Sequence, residues 1–184
     1  MANRRTGGLN SAGTLTMRNL EAKFRLADLE AARAAALALG YVAVASLTQR
    51  DTFFPVAQGK LKLREQPPDA WLIQYARGGD GALMLSRYEM VPVAEATRTR
   101  EILARALGIL AEVRKHRTLL MRRNVRFHLD RVEGLGTFGE IEAVLGQRAD
   151  AGAARAEVDE LLRALGVGAR ALIDVSYFEL MARH

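Results

Sequence analysis

The chain has 184 residues, no cysteine, and 27 Lys and Arg against 21 Asp and Glu, for a formal charge of +6 at neutral pH. The missing cysteines exclude disulfides, thiolate nucleophiles and zinc-cysteine sites, so any metal must be held by oxygen or imidazole. The basic balance favours polyanionic partners such as nucleotides, polyphosphate or nucleic acid, and no run approaches the ~20 apolar residues a membrane span needs.

Residues 1–16 are rich in Gly, Asn, Ser and Thr and lack periodicity, which reads as a disordered lead before a single domain over 17–184. The start carries no apolar leader, and a cysteine-free chain suits a reducing compartment, so a cytoplasmic protein is expected. From Asn19 to Leu26 charged and apolar side chains alternate. In a strand this puts Asn19, Glu21, Lys23 and Arg25 on one face and Leu20, Ala22, Phe24 and Leu26 on the other. Asp28 can cap a helix that runs to Leu39, with Gly40 as its stop. A strand over Leu47–Phe54 follows, then a turn at Gln58-Gly59. The next segment, Lys60-Leu61-Lys62-Leu63-Arg64-Glu65, alternates as strictly as the first and lines up Lys60, Lys62 and Arg64. Pro67-Pro68-Asp69 turns the chain into a strand over Trp71–Arg77, and Gly78-Gly79-Asp80-Gly81 marks a hairpin into Leu83–Val91.

Pro92 ends that strand, and Ala94–Leu107 reads as an amphipathic helix with Ile102, Leu103, Ala106 and Leu107 on its apolar side. Three more strands are expected over Val113–Met121, Val125–Val132 and Thr137–Leu145, with a solvated turn at Arg122-Arg123-Asn124 and another at Gly134-Leu135-Gly136. A last helix covers Ala153–Leu165, and the tail Leu172–Met181 has enough apolar residues to dock. Eight strands, few helices and no βαβ alternation point to an α+β domain. Its antiparallel sheet is expected to close into an eight-stranded β-barrel with helices packed outside.

The strand faces collect Glu21, Lys23 and Arg25; Lys60, Lys62 and Arg64; Lys115 and Arg117; Arg126, His128 and Asp130; and Glu140 with Glu142. On any one strand a solvated charged face is the commoner reading. Repetition over five strands, with the apolar residues on the opposite faces, favours a polar lumen. Alternating cations can follow a phosphate chain as charge-assisted donors, and carboxylates can hold an oxygen-loving divalent ion. Arg77 is the favoured extension of the basic lining. His116 and His128 read as packed or hydrogen-bonded histidines rather than ligands. No Gly-x-x-x-x-Gly-Lys-Ser/Thr loop occurs, so side chains rather than a glycine cradle would grip the phosphates.

Arg18-Asn19-Leu20-Glu21-Ala22-Lys23, Gln49-Arg50-Asp51-Thr52-Phe53-Phe54, Gly59-Lys60-Leu61-Lys62-Leu63-Arg64-Glu65, Arg126 to Gly136 and Glu140-Ile141-Glu142 together resemble the CYTH superfamily. That group comprises class IV adenylate cyclases, thiamine triphosphatases and related triphosphate tunnel metalloenzymes. The resemblance implies a tunnel that binds a triphosphate with Mg²⁺ or Mn²⁺. It implies Glu21, Lys23 and Glu142 as catalytic, and Glu21, Asp130, Glu140 and Glu142 as metal ligands, with a structural strand-end or turn acid as the equal alternative for Asp130. Lys23, Lys62, Arg64, Lys115, Arg117 and Arg126 then match the family's phosphate-binding cations, and the strand faces add Arg25, Lys60 and Arg77 to the expected substrate-binding set. One departure is Asn19, where the family's signature has its first acid, which leaves open whether one or two metals bind. Another is Leu83, Met84 and Leu85, where basic residues are common. The leading expectation is a cyclase converting ATP to cyclic AMP and pyrophosphate. The alternatives are a triphosphatase acting on thiamine triphosphate, a nucleoside triphosphate or inorganic triphosphate, and a non-catalytic polyphosphate or nucleotide binding module. RNA ranks lower, because few aromatic residues stand among the cations. No membrane partner is expected, and a homodimer is a candidate assembly.

Overall fold

The computed structural model describes residues 15–78, 84–145 and 151–183. Its strands are β1 (Leu15–Arg25), β2 (Val42–Phe54), β3 (Lys60–Gln66), β4 (Asp69–Gly78), β5 (Met84–Pro92), β6 (Ala111–Arg122), β7 (Val125–Val132) and β8 (Gly136–Leu145). The helices are α1 (Leu29–Ala38), α2 (Ala96–Leu107), α3 (Ala151–Ala164) and the short α4 (Tyr177–Met181). All strand pairs are antiparallel, in the order β1-β5-β4-β3-β2-β6-β7-β8, and β8 pairs again with β1 to form a barrel. The expected α+β class and its eight strands are therefore present. Each strand has a neighbour on both sides over part of its length, although β2 meets β3 only from Arg50 to Phe54 and its Val42–Gln49 stretch pairs with β6 alone.

Most elements fall where the alternation and the turn residues put them. Asp28 caps α1 by accepting from the backbone N–H groups of Glu30 and Ala31, at 2.8 and 3.0 Å. β1 begins at Leu15, ahead of the expected start at Met17, and β2 begins at Val42 rather than Leu47. The expected hairpin at Gly79-Asp80-Gly81, with Leu83, lies outside the described residues, as does nearly all of the expected disordered lead.

Two buried clusters are present: one on the inward faces, with Phe53, Ile73, Tyr75, Val113 and Tyr177, and a larger one outside the barrel wall on one side. Ala22 and Phe24 of β1, Leu120 of β6, Phe127 and Leu129 of β7 and Ile141 of β8 face outward, where Ala32 and Ala36 of α1 and Val158 and Leu161 of α3 cover them. Gly139 of β8 is required there. A Cβ at that position would stand 2.4 Å from the Phe24 ring, which is itself fully buried and stacked on Phe127. α1 and α3 thus behave as the amphipathic pattern requires.

Two expectations fail on this outer surface. No described residue of α2 is buried, and Ile102 is half exposed. The sheet surface that α2 meets carries Arg50 and Glu65, and the helix reaches it through Arg100, whose Nε lies 3.5 Å from Glu65. A polar contact of this kind cannot bury the apolar stripe. Arg122, expected in a solvated turn, is instead half-buried. It donates to the Leu39 carbonyl at 2.8 Å, pairs with Glu160 of α3 and covers the Tyr41 ring. No helix among the described residues is long and apolar enough to cross a membrane.

Candidate active site

Period-two alternation combined with the ring of pairings sends one face of each strand inward, around a cavity of about 500 Å³. The registers decide which charges meet. Glu21 stands opposite Glu142, and Lys23 opposite Glu140, across β1 and β8. Arg126 and His128 of β7 face Glu142 and Glu140 from the other side. Arg117 of β6 pairs with Asp130, and Arg64 of β3 pairs with Asp51 of β2. β3 and β8 lie four places apart in the ring of eight strands, so the cations of β3 look across the lumen at the carboxylates of β8.

Three ion-pair groups result. In the first, Asp51 accepts from Arg64 Nε and Nη2, both at 2.7 Å, and from Lys62 Nζ at 3.1 Å, with Lys115 Nζ at 3.6 Å. Burial alone would raise the Asp51 carboxyl, but Arg64, Lys62 and Lys115 outweigh it and hold the group well below its ordinary range. The same burial, with Arg117 adding to it and Asp51 opposing, pushes Lys115 down to about 7. Lys62 is pushed down to about 8 by burial and by Arg64. In the second group Arg117 donates from Nε and Nη2 to Asp130, each at 2.6 Å, and from Nη2 to Glu140 at 2.6 Å. Lys23 Nζ lies 3.5 Å from Glu140, and the Tyr177 hydroxyl donates to Asp130 at 2.8 Å. In the third, Glu142 has His128 Nε2 at 3.3 Å and Arg126 Nη1 at 3.6 Å. Burial raises its carboxyl, yet the neighbouring His128 outweighs that and brings it to about 2.

Of the residues singled out in the sequence, Glu21, Lys23, Lys62, Arg64, Lys115, Arg117, Arg126, Glu140 and Glu142 all line this one cavity. Others do not join them. Arg25 is exposed, donates to the Leu135 carbonyl at 3.0 Å and lies over the Phe138 ring. Lys60 pairs with Glu179 of α4 at 2.7 Å and lies over Phe178. Asp130 is fully buried behind Arg117 and turns its oxygens to Arg117 and Tyr177. Arg77 lies in β4 opposite Ser86, with its side chain outside the described residues. His116 stands on the exposed outer face and shares a hydrogen bond with Ser46.

No site role is assigned to Asp51, Gln49 or Tyr177 from the sequence, although Gln49 and Asp51 stand in a segment that carries the family resemblance. For the first two a signal existed, since Gln49 and Asp51 share a strand face. Tyr177 reaches the interior only because the tail folds back, with Ile173 N–H bonding the Lys23 carbonyl at 2.7 Å. Its ring then carries Lys23 at 4.4 Å and Lys115 at 5.2 Å from its centroid.

The donor set suits a divalent ion of the hard, oxygen-seeking kind. Glu21 and Glu142 face each other across β1 and β8, and Asn19, two residues from Glu21 on the same face, keeps its Oδ1 buried with no partner among the described residues. No group of three or more His, Asp or Glu among the described residues could hold a metal ion by itself. Mg²⁺ commonly needs only one or two carboxylates when phosphate oxygens complete its shell, so the residues fit an ion that shares its coordination with a ligand.

Comparison with known proteins bears on the same features. The PH1012 protein from Pyrococcus horikoshii OT3 superposes with a TM-score of 0.77 at 22% identity, over 88% of this chain and 98% of that one. A conserved hypothetical protein from Pyrococcus furiosus gives 0.75 at 22% identity, over 88% and 99%. A candidate adenylate cyclase from Vibrio parahaemolyticus gives 0.68 at 18% identity, over 89% and 97%. At these identities the likeness speaks for the fold. None of the curated proteins compared with the chain matches it. The family model for the CYTH domain matches residues 17–177, from the first inward-facing strand to the tyrosine that returns from the tail, and the chain therefore belongs to the CYTH domain family.

Proposed function

We propose that the barrel is a divalent-metal-dependent enzyme acting on a triphosphate, with ATP cyclisation to cyclic AMP and pyrophosphate as its reaction. One observation carries the reading: Lys62, Arg64 and Lys115 converge within 3.6 Å of the single carboxylate Asp51, facing the Glu21–Glu142 wall across the lumen. Burying that many like charges is costly, and a phosphate chain lowers the cost by giving each cation a second anionic partner.

Glu21 and Glu142 would hold the ion, with Asn19 Oδ1 beside them, and the ion would neutralise charge on the phosphate oxygens. The rest falls to the chain. Arg64 and Arg117, whose Nε and Nη2 are held by Asp51 and Asp130, would turn their remaining N–H groups to phosphate oxygens, while Lys62 and Lys115 supply compact charge between them. Arg117 already spans Asp130 and Glu140, so a phosphate that takes its Nη2 frees Glu140 for Lys23. Asp130 keeps the Arg117 fork in one orientation and is a positioning residue rather than a ligand. In the cyclase reaction the ribose 3′-oxygen bonds to the α-phosphorus as its bridging P–O bond breaks and pyrophosphate leaves. The hydroxyl proton is released to solvent, so the step balances as cyclic AMP, pyrophosphate and a proton.

The test is to incubate the purified chain with ATP, thiamine triphosphate and inorganic triphosphate, each with Mg²⁺ or Mn²⁺, and identify products. Cyclic AMP with pyrophosphate is expected from ATP. Orthophosphate instead would replace the cyclase by a triphosphatase using the same clamp, and tight binding without product would make the barrel a sequestering module.

A further inference from the structure

Tyr88 of β5 lines the cavity beside Asn19, Arg126 and Glu142. Asn19 of β1 stands opposite Ser86, so Tyr88 lies on its diagonal along the same inward face, a separation that an aromatic side chain spans. The Tyr88 hydroxyl is hydrogen-bonded to both Asn19 and Arg126. Burial, with the Glu142 charge adding to it, holds that hydroxyl above its ordinary value, so the phenol is neutral near pH 7 and brings no charge of its own.

The amide of Asn19 is the informative group. It is 2% exposed, and its Oδ1 is buried with no hydrogen-bond partner among the described residues, so the bond to Tyr88 is made by Nδ2, which donates to the phenol oxygen. The two ends of a carboxamide have nearly the same shape and opposite polarity. The oxygen can approach a cation, whereas the NH₂ group repels one and prefers a carboxylate. Glu21 follows Asn19 by two residues on the same face, and Glu142 lies diagonal to it across β8. The end of the amide that Tyr88 leaves free is therefore the end available to an ion held by these two acids.

We propose that Tyr88 is a positioning residue that fixes the Asn19 amide with Nδ2 on the phenol and Oδ1 free, so that a neutral oxygen joins Glu21 and Glu142 at the divalent ion. Without the hydroxyl, the amide is released to turn Nδ2 toward the carboxylates, and an ion must first displace it. The inference rests on the metal-dependent reading above, and adds how a chain with an amide in this place still offers oxygen to the ion.

The test is calorimetric binding of pyrophosphate, which the proposed reaction does not consume, with and without Mn²⁺. It compares the native chain with Tyr88→Phe, Asn19→Ala and the double variant. Mn²⁺ is expected to tighten pyrophosphate binding to the native chain at least about 10-fold, and Tyr88→Phe should remove most of that gain. Metal-free affinity should stay within about 2-fold of native, which also shows that the variant is folded, and the double variant should lose no more than Asn19→Ala alone. An undiminished Mn²⁺ gain in Tyr88→Phe overturns the positioning role. So does an equal loss of binding with and without the metal, and so do losses that multiply in the double variant, since Tyr88 then acts other than through Asn19. Absence of any Mn²⁺ gain in the native chain overturns the metal-dependent reading itself, and the role of Tyr88 with it.

Discussion

Asp51 and Arg64 form a two-point ion pair, each carboxylate oxygen receiving one guanidinium nitrogen at 2.7 Å, on facing residues of β2 and β3. Lys62 and Lys115 share the same carboxylate, so Asp51 is the counter-charge that lets three cations coexist in the lumen. Removing it in Asp51→Ala leaves buried, uncompensated positive charge, and a loss of about 3–5 kcal/mol of stability is expected. Thermal unfolding measures this. Inorganic triphosphate should restore more of the lost melting temperature in the variant than it adds to the native chain, because it replaces the missing anion.

The buried lysines make ligand binding proton-linked. The ordinary lysine value is 10.5, and the folded chain holds Lys115 at about 7 and Lys62 at about 8. Below about 7 both folded and unfolded chains carry these protons and the burial cost is fully present. Between about 7 and 10.5 the unfolded chain binds more protons, so these groups make stability rise with pH. Triphosphate favours the charged form and reverses the trend for the complex: binding at pH 8 takes up protons, and affinity falls as pH rises. Titrations at pH 8 in buffers of different ionisation enthalpy should give different apparent heats, and Lys115→Met should shrink the difference. Identical heats in the native chain would contradict the assigned lysine environment.

How far the sequence could be read follows from what period two encodes. Alternation assigned the inward faces of β1, β3, β7 and β8, because there charge and hydrocarbon differ sharply at neighbouring positions. It tells which face a residue occupies but not where the lumen ends. Arg25 and Lys60 therefore share a face with true lining residues, yet sit at strand ends where Leu135 and Glu179 engage them. In β2 the contrast is weak, since Thr48 and Arg50 on the outer face are as polar as Gln49 and Asp51 within. Tyr177 had no local pattern to betray it, because its place depends on a tail that crosses back over β1. The unburied stripe of α2 shows the converse, where local amphipathicity did not specify what the sheet would offer.

The tail contact has its own measurable consequence. Tyr177→Phe removes the hydroxyl that donates to Asp130 at 2.8 Å, leaving one buried carboxylate oxygen with a donor fewer. A loss of about 1–3 kcal/mol is expected by denaturant unfolding. Since Asp130 orients Arg117, turnover should fall in the same variant, whereas a tail that only packs would change stability alone.

Gly139 tests the outer core independently of the lumen. Gly139→Ala drives a methyl into the Phe24 ring, which has no room to move between β8 and Phe127. A destabilisation of about 1–3 kcal/mol is expected, with metal-dependent turnover retained at temperatures where the variant is folded.

The most direct measurement is metal-dependent turnover of ATP by the native chain beside Glu21→Ala and Glu142→Ala, with circular dichroism to confirm that each is folded. If these two carboxylates form the metal-holding wall, both variants lose at least about 100-fold in rate with Mg²⁺ or Mn²⁺ present. Full metal-dependent activity in both folded variants would contradict the account.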